Sequence, residues 1–404
     1  MHISIMTQEY KTSKQISKKT GSQEPLGIYT ENVAALENQG FRGLTYERKK
    51  KIEAHVLVGD LKAKFSRVAS CGHFPVVKKV ADGVFKPGEI RLLRSKEHGK
   101  AHFGGLASCS SVWACPVCAA KIQARRGREI EKAVDAAREQ GLCVTMVTLT
   151  HPHHKGQALS TLSERHQYAL RKLSQSRFWK QVRQELGVIG SIKATEITYG
   201  ENGWHWHTHF LLIHTNKNNL TNERLAEQWI GFCRKAGFEI NNDTAKDMMR
   251  YSVDVIRDCH ATTYLTKAGL GSWGVDREIS SNASKHGRNG GKTPFELVDA
   301  GEYWLFREYL EATKGKRQLF WSRGLKKMFG ITEKSDEELV EETEECSEVL
   351  AIIPPVSWSA IVRDWLQVEL LAVAELGGRK AVLQWFQERG LEICLPDSGG
   401  GDGG

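Results

Sequence analysis

The amino-acid sequence predicts an α+β fold, an antiparallel sheet flanked by helices, with a cysteine-rich element before it and a helical segment after it. Three observations carry the prediction. Asn202-Gly203 stands between two alternating apolar runs, amphipathic stretches at helical spacing separate the strand-like runs, and CSSVWACPVC precedes them all. The 404 residues are 40% hydrophobic and 26% charged, enough for one large domain with additions or for two domains.

Residues 1–65 are rich in Lys, Gln, Ser and Thr without periodicity and are expected to form a polar leader. Residues 66–140 hold Cys115 and Cys118 as a CxxC pair, with Cys109 and Cys71 upstream. Nine cysteines, an odd number without an export signal, argue against a disulfide framework. Thiolates at this spacing favour a structural Zn²⁺ ion. A helix over 119–140 follows, with Ile122, Ile130, Ala133 and Ala137 on one face and Arg125, Arg126 and Arg128 exposed; Gly141 ends it.

Residues 141–332 read as the core. CVTMVTLT (143–150) is strand-like, with His151-Pro152-His153-His154 at its exit. One long helix is expected from Leu159 to about Leu186, then a hairpin, a helix over 222–236 and a strand over 249–257 based on the alternation of Tyr251, Val253 and Val255. HATTYLTKAG reads as a short helix, 281–294 as a basic loop carrying Lys285, Arg288 and Lys292, and 302–314 as a helix. The acidic stretch 333–350 is expected to be a linker, and 351–404 a helical segment with a flexible tail.

Asn202-Gly203 suits a type I′ turn, because both residues tolerate positive φ. Paired residues then have numbers summing to 405, so Thr198 faces His207 and Glu196 faces His209. Glu196, Thr198, His205, His207 and His209 share one face, while Ile197, Tyr199, Trp206, Thr208, Phe210 and Leu212 form the other, apolar face. A carboxylate and two or three imidazoles within reach of each other form a candidate divalent-cation site.

The net charge is +9, although 333–348 is strongly acidic, so the rest of the chain is more basic than the total and suits a polyanionic partner. No run has the length of a membrane-spanning helix and the first residues are polar, so a cytoplasmic protein with no membrane partner is expected. A cation held by His and Glu in a basic protein is suited to a phosphodiester. Tyr264, with Lys267 three residues on, is the candidate nucleophile, and a phenol attacking phosphorus conserves the bond as a phosphotyrosine.

WHWHTHFLLI resembles the His-hydrophobic-His motif of the HUH endonucleases, TMVTLT their first strand motif and YLTKAG their Tyr-x-x-Lys helix. In more detail, residues 70–330 resemble rolling-circle replication initiators of small bacterial plasmids, a likeness carried most specifically by CSSVWACPVCAAKI and FWSRGLK. The resemblance implies an HUH nuclease core, a Mg²⁺ or Mn²⁺ ion on His207, His209 and Glu196 with His205 auxiliary, and origin nicking by a single tyrosine, Tyr264. It implies origin DNA as partner, with host helicase and polymerase. Two positions depart from the family pattern: Thr208 replaces a bulky hydrophobic residue, and His260 stands where a Glu often activates the terminating water. A neutral imidazole can take that role. Rival readings are a rolling-circle transposase, a hydrolase using water, and a zinc-containing nucleic-acid-binding protein without catalysis.

Overall fold

The computed structural model describes residues 43–79, 85–96, 99–216, 220–260, 291–341 and 347–395. Among these the strands are β1 (Val77–Lys79), β2 (Phe85–Pro87), β3 (Ile90–Ser95), β4 (Ala101–Gly104), β5 (Cys143–Leu149), β6 (Val188–Gly200), β7 (Gly203–His214), β8 (Val253–Ile256), β9 (Leu319–Trp321) and β10 (Ser347–Ile353). The fold is mixed α and β, as expected, and its centre is a five-stranded sheet in the order β8-β5-β7-β6-β9, antiparallel at every pairing.

Period-two alternation gives this sheet two different faces. On one, Val147, Ile197, Trp206 and Leu212 pack under Leu162, Leu170 and Leu173 of the Leu159–Gln175 helix and Trp229 of the Asn222–Lys235 helix. On the other, Val144, Met146, Ile192, Ala194, Leu211 and Ile213 pack against Ile130, Ala133, Val134 and Ala137 of the Pro116–Glu139 helix. Along this second face the apolar residues give way, toward the hairpin end, to Thr148, Glu196, Thr198, His205, His207 and His209. The candidate site is therefore the polar end of an otherwise buried face.

Several local expectations change. The hairpin turns at Glu201 and Asn202, with Gly200 paired to Gly203, so paired residues sum to 403: Glu196 faces His207 and Thr198 faces His205. Only Gly203 takes positive φ, at 88°, which fits a turn closed by a left-handed glycine rather than the type I′ turn. The sum changes by two, so every side chain keeps its expected face. The long helix is two, Leu159–Gln175 and Arg177–Leu186, because extended Ser176 breaks it and caps the second half by accepting from Trp179 N–H at 3.1 Å. The expected 249–257 strand is shortened to Val253–Ile256, since Asn241 caps a helix that runs on to Tyr251.

Residues 43–65, 336–341 and 347–395 are more integrated than composition suggested. Residues 43–65 of the expected leader include the Gly43–His55 helix, and Ile52, Val56, Leu57 and Leu61 enter the main core. The acidic stretch contains the Asp336–Glu341 helix, with Leu339 and Val340 buried, and the start of β10. Antiparallel pairing of β10 with β3 completes a second sheet, β10-β3-β4, whose Leu92, Phe103 and Leu350 form a separate core with Trp358, Leu370 and Phe386 of the C-terminal helices. The described part of the C-terminal segment, residues 351–395, is thus packed against β3 and β4. No helix among the described residues is long and apolar enough to cross a membrane.

Candidate functional site

Two groups of metal-binding side chains stand out, and they differ in shape. Cys71 follows the short Ser66–Ala69 helix, Cys109 lies in the loop after β4, and Cys115 and Cys118 bracket the start of the Pro116–Glu139 helix. All four sulfurs lie within 4.8 Å of one another and all four residues are buried. Cys71 Sγ lies 3.5 Å from Cys118 Sγ and 3.7 Å from Cys115 Sγ, and Cys109 Sγ lies 3.7 Å from Cys118 Sγ. A tetrahedral zinc ion about 2.3 Å from each sulfur puts the sulfurs roughly 3.8 Å apart, so the cluster fits that ion. Hydrogen bonding, led by Cys109, pulls the Cys118 thiol well below its usual range. A cluster of this kind can hold zinc.

The histidines make a row. Ring centroids are 3.8 Å apart for His205 and His207, and 5.9 Å for the stacked His207 and His209. His209 spans three strands: its Nδ1 lies 3.0 Å from Thr148 Oγ1 on β5, and its Nε2 3.0 Å from Glu196 Oε2 on β6. Glu196 therefore reaches diagonally to His209 although His207 is its paired residue. Burial, reinforced by neighbouring imidazoles, holds His207 well below the usual histidine range and His205 down to about 4, leaving both neutral with lone pairs for a cation. The donor types suit a divalent ion. Among the described residues, however, the four cysteines are the only group of three or more such ligand atoms gathered within 4.8 Å, so His207, His209 and Glu196 share a face without converging on one point.

The sequence reading missed what lies beside and behind the row. His153 stacks on His205 with ring centroids 4.3 Å apart. Thr208, the apparent misfit on the apolar face, is 1% exposed and its Oγ1 lies 2.9 Å from Nε2 of fully buried His166. His151 is also buried, its ring 4.9 Å from that of His166, and burial drives it down to about 3. HPHH at the strand exit was a visible signal for His151 and His153; His166, inside an amphipathic helix, gave none.

Of the expected catalytic and DNA-contacting residues, Tyr264, Lys267, Lys285 and Arg288 lie outside the described residues. His260 is exposed just after β8. Arg126 forms an ion pair with Asp336 at 2.5 Å and Lys292 one with Glu302 at 2.6 Å, while the Lys292 backbone bridges to Tyr199 beside the hairpin. Arg125 is partly exposed on the Pro116–Glu139 helix.

Residues 106–250, which hold Cys109, Cys115, Cys118 and the histidine row, match a family model described as replication protein. The chain is 26% identical over 348 residues to "Protein rep" of Streptomyces lividans, an alignment covering 67% of this chain and 76% of that protein. It is 32% identical over 134 residues to the "Neomycin resistance protein" of Streptomyces cyanogenus, covering 27% of this chain and 31% of that protein. No solved structure matches. The family match and these relatives support a plasmid replication initiator.

Proposed function

We propose that this protein starts plasmid replication by nicking one DNA strand at an origin and keeping the 5′ end covalently. The observation that supports this most directly is the row of histidines, His209 joined to Glu196, at the hairpin end of the sheet within the region that matches the replication-protein family model. His207, His209 and Glu196, with His205 beside them, are the proposed holders of a Mg²⁺ or Mn²⁺ ion, which supplies Lewis-acid charge at the phosphate. Tyr264 is the proposed nucleophile. Its hydroxyl oxygen attacks phosphorus and gives up its proton, the P–O3′ bond breaks, and the 3′ oxygen leaves as the hydroxyl that primes synthesis. Lys267 offsets phosphate charge, and His260, in a position open to water, is the proposed base for the hydrolysis that ends a round.

Arg125, Lys285 and Arg288 are the proposed phosphate contacts. Arg126 and Lys292, already paired with carboxylates, serve only if DNA displaces Asp336 or Glu302. Cytoplasmic plasmid DNA is the substrate in this reading. Incubation with supercoiled origin plasmid and Mn²⁺, followed by denaturing electrophoresis, tests it. The wild type should give a protein–DNA adduct and Tyr264→Phe none; nicking without an adduct points to a hydrolase using water, and an adduct from Tyr264→Phe moves the nucleophile elsewhere.

A further inference from the structure

The nicking reading leaves His153 without a role, yet the hairpin is built to receive it. A Cβ on Gly203 would meet Lys155 Cα at 3.1 Å and the His154 carbonyl oxygen at 3.2 Å, so the absence of a side chain there lets the loop after β5 close over the turn. That closure sets the His153 ring 4.3 Å from His205, itself 3.8 Å from His207. His153 Nδ1 lies 3.3 Å from the His151 carbonyl oxygen, which can only accept, so the proton sits on Nδ1 and Nε2 keeps a lone pair. A histidine tied through one nitrogen to a backbone carbonyl, with the other nitrogen bare, is the usual arrangement of a metal ligand.

We propose that His153, His205 and His207 form a second cation site, for a transition-metal ion such as Zn²⁺, which on binding takes His207 away from the Glu196–His209 pair. Three neutral nitrogens and a water complete a tetrahedral zinc shell. Mg²⁺ requires oxygen donors and competes poorly for such a set, and Mn²⁺ stands below zinc in affinity for it. His153 stacks on His205 while His207 is tilted against it at 53°, and the three ring nitrogens are not gathered within 4.8 Å of one another. With His153 held on the His151 carbonyl, the site requires the His205 and His207 rings to turn about their Cβ–Cγ bonds, a soft torsion for histidine, toward His153 Nε2. Occupation of this site opposes occupation of the Glu196–His209 set, because His207 cannot serve both. Its effect on nicking rests on the function proposed above; zinc binding does not.

The test uses the full-length protein saturated with Zn²⁺, desalted, and assayed for zinc per chain. Wild type should retain one ion more than His153→Ala or His153→Gln, both with wild-type melting, and loss of the ligand should weaken that ion by at least the roughly 10–100-fold that even an outer-sphere change costs. Equal zinc in wild type and folded variants overturns the site, as does a wild type that holds only one ion. In the nicking assay with Mn²⁺, added Zn²⁺ should inhibit wild type and spare His153→Gln, whose activity in Mn²⁺ alone is unchanged. A zinc difference without a difference in inhibition overturns the capture of His207. If neither protein nicks at all, the function proposal fails while the zinc count still decides this one.

Discussion

The four cysteines and the row of histidines are both sets of metal-binding side chains, but one forms a shell and the other a line. The cysteines come from two loops and the first turn of a helix, separated by as many as 47 positions, and so approach a common point from different directions. The histidines come from consecutive same-face positions of one strand, which sets their Cα atoms about 7 Å apart in a straight row. A row cannot close around an ion by itself. It needs donors from neighbouring elements, and among the described residues Glu196 from β6 and His153 from the loop after β5 approach its opposite ends. The shell is suited to holding the fold. The line is suited to an ion that must keep positions open for substrate.

The largest effect that would break this comparison is loss of the shell. Cys115→Ser with Cys118→Ser removes two ligands from a fully buried site at the start of the helix that covers one sheet face. Structural zinc contributes on the order of 10 kcal/mol in small domains, comparable with the whole stability of a folded domain. The double variant should be insoluble or melt far below wild type, with zinc content reduced. Native melting would remove the cluster from any structural role.

For the line, the contrasting expectation is loss of activity without loss of fold. His207→Ala should reduce nicking by more than the roughly 10–100-fold typical of outer-sphere changes, with melting close to wild type, because the ring lies at the polar end of the sheet face, beyond the apolar residues packed on the Pro116–Glu139 helix. Glu196→Gln should cost less, since water can fill one position. Normal nicking by His207→Ala in Mg²⁺ would end the metal assignment.

How much of this was legible follows the same division. The CxxC spacing marked Cys115 and Cys118, with Cys109 just upstream, while Cys71, 38 positions before Cys109, entered only as a thiolate that could complete a tetrahedral set. Alternation marked the histidine face, and that survived a register error of two because parity alone decides the face. Turn type was not legible: Asn202-Gly203 permitted positive φ at both residues, and only Gly203 adopted it. Nor was the pairing of β3 with β10, which joins residues more than 250 positions apart through contacts that no local signal encodes. The same holds for the ion pair of Arg126 with Asp336, which joins residues 210 positions apart.

The buried imidazoles beside the row sharpen the comparison through pH. His151, held down to about 3 by burial, stays neutral in the native state while the unfolded chain titrates near 6.5. Above about pH 6.5 both states are neutral and His151 contributes no pH dependence. As pH falls from there toward 3, the unfolded state takes up a proton that the native state refuses, so stability declines with a slope approaching 1.4 kcal/mol per pH unit at most for this one group. Melting measured from pH 7 to 4 should fall more steeply in wild type than in His151→Phe. Parallel curves would show that His151 is not rejecting a proton.

The smallest effect concerns Thr208, the position where the family pattern prefers a bulky hydrophobic side chain. If Thr208 only fills space, valine should serve as well or better, since it keeps the β-branched shape and suits a buried strand. The structure gives its hydroxyl a partner, His166 Nε2 at 2.9 Å, in a spot sealed from solvent. His166 Nδ1 already lacks a hydrogen-bond partner, so Thr208→Val leaves both ring nitrogens unsatisfied inside the core. Stranding a buried polar group costs about 1–3 kcal/mol, and in a domain of roughly 150–250 residues each kcal/mol moves the melting temperature by roughly 2–4 °C, less in a larger cooperative unit. Thr208→Val should therefore melt a few degrees lower. Paired with His166→Leu it should recover part of the loss, because removing both partners leaves nothing unsatisfied. A single variant as stable as wild type would mean that the hydroxyl is incidental. The threonine would then be a spacer, and the polar layer behind the histidine row would have no part in holding it.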